Sequence, residues 1–281
     1  MTPPPTIARP AAPRPVSATG LRAITRQMPL FLNLVRREVR QRYKGSTLGL
    51  VWTLITPAIM VGAYSLVFRY LLKVTIPYYA LFLFVGLTMW TFFMGGAISA
   101  SQSLVANANL VKKVSFPRPI VPLAAMTGSW FTAGAMLVVA LPLCLILTDG
   151  SRWTLIAVPP LVLFLAALTV GFGLIVAAVN VYFRDVEHIL AAIALPWIFI
   201  SPIFYSFDYV SSLGGQPAWV IDLLHYGNPI APPLIALHDA LFFGVWPDPV
   251  DVAYSAISGI VVLLLGWQVF RRLEGEMAVE L

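Results

Sequence analysis

Residues 79–118 read YALFLFVGLTMWTFFMGGAISASQSLVANANLVKKVSFPR. The stretch 79–104 carries no charge, and Lys112, Lys113 and Arg118 follow it within a short polar connection. A bilayer core of roughly 30 Å needs about 20 helical residues to cross it. Residues 79–104 therefore read as a membrane span, with the three bases anchoring one end. Other long apolar runs lie at 48–72, 120–147, 154–180, 188–206 and 252–270. With the N-terminus placed inside, fifteen of the eighteen Lys and Arg share one side of the membrane. They are the nine before the first run, then Lys112, Lys113, Arg118, Arg184, Arg271 and Arg272, leaving Arg69, Lys73 and Arg152 opposite. The positive-inside rule then predicts an all-α integral membrane protein with six transmembrane helices and both termini cytoplasmic.

Composition agrees. The chain is 59% hydrophobic and 11% charged, with a mean hydropathy of +0.85, whereas an average soluble domain is about 25% charged. The net charge of +6 comes from residues that flank spans, which fits anchoring to anionic lipid and gives no reason to expect nucleic acid. The single cysteine, Cys144, lies within the third run and has no partner for an intrachain disulfide. Four regions follow. Residues 1–27 read as a disordered Pro/Ala-rich cytoplasmic tail. Residues 28–46 read as an amphipathic interface helix, 47–271 as the six-span domain, and 272–281 as a second cytoplasmic tail.

In the helix before the first span, Phe31, Leu34, Val35 and Val39 share one face while Arg36, Arg37, Arg40 and Lys44 lie largely away from it. Pro29 suits its start and Gly45 its stop. Such a helix is expected to lie in the interface plane with its bases among the headgroups. It serves either as a plain anchor or as a platform that takes force from a cytoplasmic partner.

Spans two to six hold no Asp, Glu, Lys or Arg in their interiors. Ion-coupled transporters keep such groups at mid-depth, so energy is expected to enter from outside the membrane. No phosphate loop occurs, because the dipeptide Gly-Lys is absent. Gly171-Phe172-Gly173 sits in an apolar helix and reads as a packing site. The outer segment 207–251 carries Asp208, Asp222, Asp239, Asp248, Asp251, His225 and His238 but no Lys or Arg. Its short apolar runs, broken by prolines, read as re-entrant half-depth helices shielded from lipid.

Several strings recur in a fixed order. Arg37-Glu38-Val39-Arg40-x-Arg42-Tyr43 leads to Ser46-x-Leu48-Gly49-x-x-Trp52 and Pro57. Asn109-Leu110-Val111-Lys112-Lys113 leads to Phe116-Pro117-Arg118, and Asn180-x-x-x-Arg184-Asp185 closes the fourth run. Ser201-Pro202-Ile203-Phe204-Tyr205 ends the fifth, and Asn228-Pro229 follows. Over about residues 28–272 this set resembles the membrane (permease) subunit of ABC polysaccharide exporters, which export lipid-linked O-antigen, teichoic acid, capsule or cell-wall glycan. The resemblance implies a homodimeric pore in the cytoplasmic membrane with two copies of a separate nucleotide-binding ATPase. The chain itself is then no enzyme and binds no cofactor, ATP and Mg being held by the partner. It also implies an interface helix using Arg36, Arg37, Glu38, Arg40, Arg42 and Tyr43, and outer gate helices in 207–251.

A coupling segment at 105–118 is implied as well. There Asn107, Asn109, Lys112 and Lys113 would meet the ATPase while Leu110 and Val111 insert as apolar anchors. Arg184, Asp185 and Glu187 would form a smaller contact. Rings offer a glycan's C–H faces a surface to slide on. The candidates are Trp52, Tyr64, Phe68, Trp90, Phe92, Phe93, Phe199, Phe204 and Tyr205, although belt and lipid-facing positions also use such residues. Pro202 reads as a hinge beneath an outer gate that includes Asn228 and Pro229, or as a tolerated kink. Rival readings are an ABC exporter of a small lipophilic compound, an ATP-independent channel or secondary transporter, and a membrane enzyme. For the enzyme, His188, His225 and His238 lack a recognisable partner motif. The topology makes one prediction. A Thr75→Cys variant labels with an impermeant thiol reagent on intact cells and a Ser115→Cys variant only after permeabilisation, while Cys144 stays unlabelled; outside labelling at position 115 overturns it.

Overall fold

A computed structural model describes residues 27–43, 51–212, 214 and 217–281. The expected tail 1–27, except Gln27, and the last residues of the expected helix 28–46 lie outside the described residues. Among those described there is no strand. Helix α1 is Met28–Tyr43. Helix α2 is Trp52–Leu71, its last turns widened from Leu66 onward. Helix α3 is Tyr79–Ala106, α4 Ala108–Lys113 and α5 Ile120–Leu147. Helix α6 is Val158–Tyr182, entered through a tight turn at Arg152–Ala157, and α7 is Val186–Ile200. Short helices α8 (Phe207–Ser212), α9 (Ala218–Tyr226) and α10 (Ala231–Phe243) precede α11 (Pro249–Leu273) and α12 (Met277–Glu280).

Five helices are long and apolar enough to cross a membrane: α2, α3, α5, α6 with its entry turn, and α11. The run expected as a sixth span is shorter than predicted. Helix α7 has 15 residues, about 22 Å at 1.5 Å per residue. It stops at Ser201, whose φ of −80° and ψ of 146° is the extended conformation that a following proline, Pro202, enforces. The chain still travels from one end of the bundle to the other. Near the start of α7 the Glu187 N–H donates to Asn180 Oδ1 at the basic end, and beyond it the Phe204 carbonyl accepts from Tyr79 Oη at the opposite end, 2.7 Å away.

Helix α3 is the central pillar, packed against both α5 and α6. Tyr79, Phe82 and Phe93 along it are fully buried. Helices α6 and α11 approach closely through small residues. A Cβ added to Gly259 would lie 2.7 Å from the Phe164 carbonyl oxygen, and one added to Gly266 would overlap the backbone of Gly171. The Gly171-Phe172-Gly173 string is thus a packing surface, as expected.

At the basic end, residues 272–281, expected as a tail, fold back on the bundle. Arg118 donates from its backbone N–H to Glu274 Oε1 and from its guanidinium to the Glu274 carbonyl, and Tyr182 Oη donates to the Leu273 carbonyl at 2.7 Å. These bonds fold the chain back so that Met277 is wholly buried in one cluster with Val111, Phe116 and Phe270. Helix α1 packs along α5. Leu34 packs into the cluster that holds Ile120, and eight residues later Arg42 donates to Thr132 Oγ1 at 2.9 Å. Thr132 is twelve residues into α5, about 18 Å along it. The apolar face of α1 packs in part on α5, with Leu34 buried and Phe31, Val35 and Val39 half-buried. The glycine seam predicts that Gly266→Leu lowers stability by about 3 kcal/mol through overpacking, seen as a fall in thermal midpoint in detergent. Gly62→Leu, with nothing within 4 Å of its Cβ position, should leave the midpoint unchanged.

Candidate functional site

A cavity of about 760 Å³ lies between α2, α3, α5 and α7, with Arg42 of α1 at its edge. Arg42 reaches it because α1 climbs along α5, and small residues there admit the approach. A Cβ on Gly128 would stand 3.3 Å from Glu38 Cγ and 3.4 Å from the Arg42 guanidinium. The guanidinium donates to Thr132 Oγ1 at 2.9 Å and Ser129 Oγ at 3.3 Å, while Ser129 Oγ also lies 3.1 Å from Ser99 Oγ. No carboxylate pairs with it among the described residues. Thr53, Thr56, Thr91 and Thr132 add hydroxyls to the walls, and Trp52, Tyr64 and Trp90 add rings. The result is one cation, a row of hydroxyls and aromatic faces, open on one side. It can hydrogen-bond a polyhydroxylated chain, stack on its C–H faces and attract an anionic group.

Three of the nine expected channel aromatics, Trp52, Tyr64 and Trp90, line this cavity. Phe199 is 43% exposed and stands edge-on to Tyr64 at its border. The others are placed differently. Phe93 is buried between Phe172 and Trp197, and Phe204 is buried between Phe68 and Phe199. Phe92 stacks on Trp130 at 5.0 Å, and Tyr205 donates its hydroxyl to the Ile200 carbonyl. These rings fill the bundle or close its turns. Ring content alone carries no sign of which face of a helix each ring occupies.

At the basic end the expected coupling residues divide. Asn107 ends α3, donating to the Ser103 carbonyl at 2.8 Å and accepting from the Arg37 guanidinium, so it joins α1 to α4. Asn109, Lys112 and Lys113 are exposed and Leu110 half-buried. Val111 is buried, which corrects the expectation that it inserts into a partner: Met277 of the folded-back terminus already covers it. Arg184 and Asp185 are exposed without an ion pair between them, whereas Glu187 is held through Asn180, whose amide also donates to the Ser101 carbonyl at 2.9 Å. Arg36, Arg37 and Arg40 are exposed on α1, and Tyr43 ends it.

At the opposite end Asn228 is 5% exposed and ties the outer segment to the broken end of α7. Its Oδ1 accepts from Trp197 Nε1 at 2.9 Å and its amide donates to Ser201 Oγ at 3.0 Å, with Pro202 buried and Pro229 half-buried beside this joint. Pro202 sits just past the helix and so ends α7 rather than kinking it. Helix α10 is sunk in the bundle, with His238 stacked on Phe82 at 4.2 Å. Helix α9 remains outside, pinned by His225 Nε2 to Asp251 Oδ1 at 2.7 Å and by Tyr254 Oη to the Tyr226 carbonyl. Burial, then the nearby Asp251, Asp248 and Asp222, raise the pKa of the Tyr226 phenol. Reading composition missed Arg42's hydroxyl partners, Asn180 and the terminal hook. Each is a contact between distant segments that no local pattern announces.

The ABC-2 type transporter family model matches residues 29–242. The chain belongs to this family. It is 26% identical over 252 residues to the O-antigen export system permease protein RfbA of Klebsiella pneumoniae, covering 89% of this chain and 93% of that protein. It is 28% identical over 254 residues to the protein of the same name in Myxococcus xanthus, covering 89% and 94%. The polysialic acid transport protein KpsM of Escherichia coli is 26% identical over 255 residues, covering 87% and 93%. With five helices able to cross a bilayer, this ABC-2 family member is a multi-pass membrane protein. The cluster at its basic end predicts that Val111→Asp, burying an unpaired carboxylate, costs about 3 kcal/mol. Lys112→Glu, on the exposed side, should stay within about 0.5 kcal/mol. Thermal midpoints of the purified chain check both.

Proposed function

We propose that the chain is the transmembrane subunit of an ATP-driven exporter that moves a lipid-linked polysaccharide across the cytoplasmic membrane. It works as a homodimer with two copies of a separate nucleotide-binding subunit, which hold ATP and Mg. Helix α7 and the Ser201–Phe204 turn together make the sixth crossing. The positive-inside rule then sets both termini inside. The observation that carries the reading is the cavity with Arg42, its hydroxyls and Trp52, Tyr64 and Trp90. The similarity to polysaccharide export permeases along most of the chain gives that chemistry its substrate class.

The cavity's open side supports a dimer. Beside it, α2 exposes Ile59 at 64% and Met60 at 46%, and α7 exposes Leu195 at 62% and Ile193 at 39%. A second copy seated on these faces would close two half-cavities into one channel. Lateral lipid is then kept from the hydroxyl row while the carrier's tail stays in the membrane. At the inner end Asn109, Lys112, Lys113, Arg184 and Asp185 form the exposed polar surface that the ATPase grips, with α1 linked to it through Arg37 and Asn107. Helices α9 and α10 form the outer gate.

Co-expression with the ATPase subunit in cells that display the glycan tests this. Trp52→Ala should slow export about fivefold, the effect of losing ~1 kcal/mol of ring stacking. Arg42→Gln should slow it further. Both variants should still co-purify with the ATPase, whereas the pair Lys112→Glu and Lys113→Glu should lose it. Normal surface glycan in both cavity variants at normal protein levels overturns the reading.

A further inference from the structure

Helix α2 has a second hollow on its other side. Only Thr53 and Val61 of this helix are buried. Trp52, Thr56, Met60 and Tyr64 face the cavity described above, while Ala58, Val61, Ser65 and Arg69 face a groove of about 570 Å³ between α2, α3 and α5. Leu81, Phe84, Leu143 and Leu147 complete its apolar walls. Its lining follows α2 from Leu54 to Arg69, and the facing walls run from Tyr78 to Phe84 and from Val139 to Leu147, so α2, α3 and α5 together enclose about 12 Å of it. That enclosed length holds one segment of an acyl chain whose remainder lies along α2.

The mouth of the groove is polar and basic. Arg69 and Tyr70 stand there on the widened last turns of α2, and Tyr78 faces them across the turn to α3. Arg69 has no ion pair among the described residues. Ser65 Oγ lines the groove and is buried without a hydrogen-bond partner. The connecting turn is held in an uncommon shape. Lys73 and Tyr78, at φ of 56° and 47°, are the two non-glycine residues with left-handed backbone among those described. Such strain persists where the surroundings impose it, often at ligand clamps.

We infer that this groove is a resident glycerophospholipid site of the outer leaflet, with the phosphate on Arg69 and one acyl chain along Val61, Phe84 and Leu143. A guanidinium pairs with phosphate in a planar fork that a lone ammonium cannot match. Arg69 is one of only three basic residues on that side of the chain, and it stands where an apolar slot begins. The occupant is a lipid of the bilayer and not the tail of the exported glycan. A tail in this groove is separated by α2 itself from anything held beside Arg42. A phospholipid here would wedge α2 away from α5 and brace the least packed span, whatever passes through the cavity.

The test uses the full chain in phosphatidylcholine nanodiscs holding a small fraction of phosphatidylglycerol with a diazirine midway along one acyl chain. Photolabelling should concentrate on peptides that contain Val61, Phe84 and Leu143. Arg69→Gln should lower it about tenfold through loss of the charged contact. Ala58→Trp should lower it by filling the groove, in protein that keeps its elution profile and thermal midpoint. A diazirine diacylglycerol, which has the chains without the phosphate, should label the parent no better than phosphatidylglycerol labels Arg69→Gln. Labelling spread evenly over α5 and α11, or equal labelling of parent and Arg69→Gln, overturns the site. Crosslinks from the groove to a second copy overturn it in favour of a subunit contact. Displacement of the probe by an equimolar polyprenyl phosphate overturns the choice of occupant.

Discussion

Carbonyls freed where a helix stops inside a membrane have no water to meet them, and this constraint organises the end of the molecule opposite the bases. Each interruption there is answered by a side chain. Tyr79 Oη donates to the Phe204 carbonyl, Tyr205 Oη to that of Ile200, and Thr154 Oγ1 to that of Ala240. Asn228 serves two partners at once, Trp197 and Ser201. The short helices α7 and α10 are therefore joined to the long ones by hydrogen bonds, each worth about 1 kcal/mol net and far more costly to leave unmade. Buried Thr154, Ser201 and Asn228 each sit at such a break.

Helix α2 shows the converse. Pro57 lies inside it and its last turns are widened, yet only Thr53 and Val61 along it are buried, so it is the least packed of the five long apolar helices. That freedom lets one helix present a hydroxyl-and-ring face to the cavity and an apolar face to the groove. The glycine seam between α6 and α11 is the opposite case, because there the two backbones touch. Tightly and loosely packed parts of the bundle thus follow from where small residues and proline breaks fall.

The sequence made the long elements legible because a span is a statement about length and apolar content. The stretches 79–104 and 120–147 became Tyr79–Ala106 and Ile120–Leu147. Pro29 placed a helix start, whereas Pro202, read as a hinge or kink inside the run 188–206, proved to end the helix at Ile200. What stayed hidden was direction around each helix. Aromatic residues in a uniformly apolar span lack the periodic contrast that tells a core face from a cavity face, so Phe93 and Trp90, three residues apart, could not be separated. Val111 looked available because its local string is a short basic helix. The residue that covers it, Met277, lies at the far end of the chain. The apolar side of α1 meets α5 in part, Leu34 being buried there, a contact with a segment almost a hundred residues away that its own pattern does not announce.

Arg42 draws these strands together. Arg42 is exposed at the edge of the cavity, and its guanidinium donates to the neutral hydroxyls of Thr132 and Ser129. A carboxylate partner would cancel its charge; hydroxyls orient it and leave the charge in force. In the proposed exporter that charge has two consequences from one arrangement. It draws the anionic linkage of a lipid-carried glycan towards rings and hydroxyls that hold sugars weakly enough to let them move. It also raises an electrostatic barrier to protons and metal cations along the same path. In the proposed exporter a hydroxyl-lined passage then admits a polymer without leaking the ion gradients of the membrane, because the one cation at its edge, which has no carboxylate partner among the described residues, repels other cations.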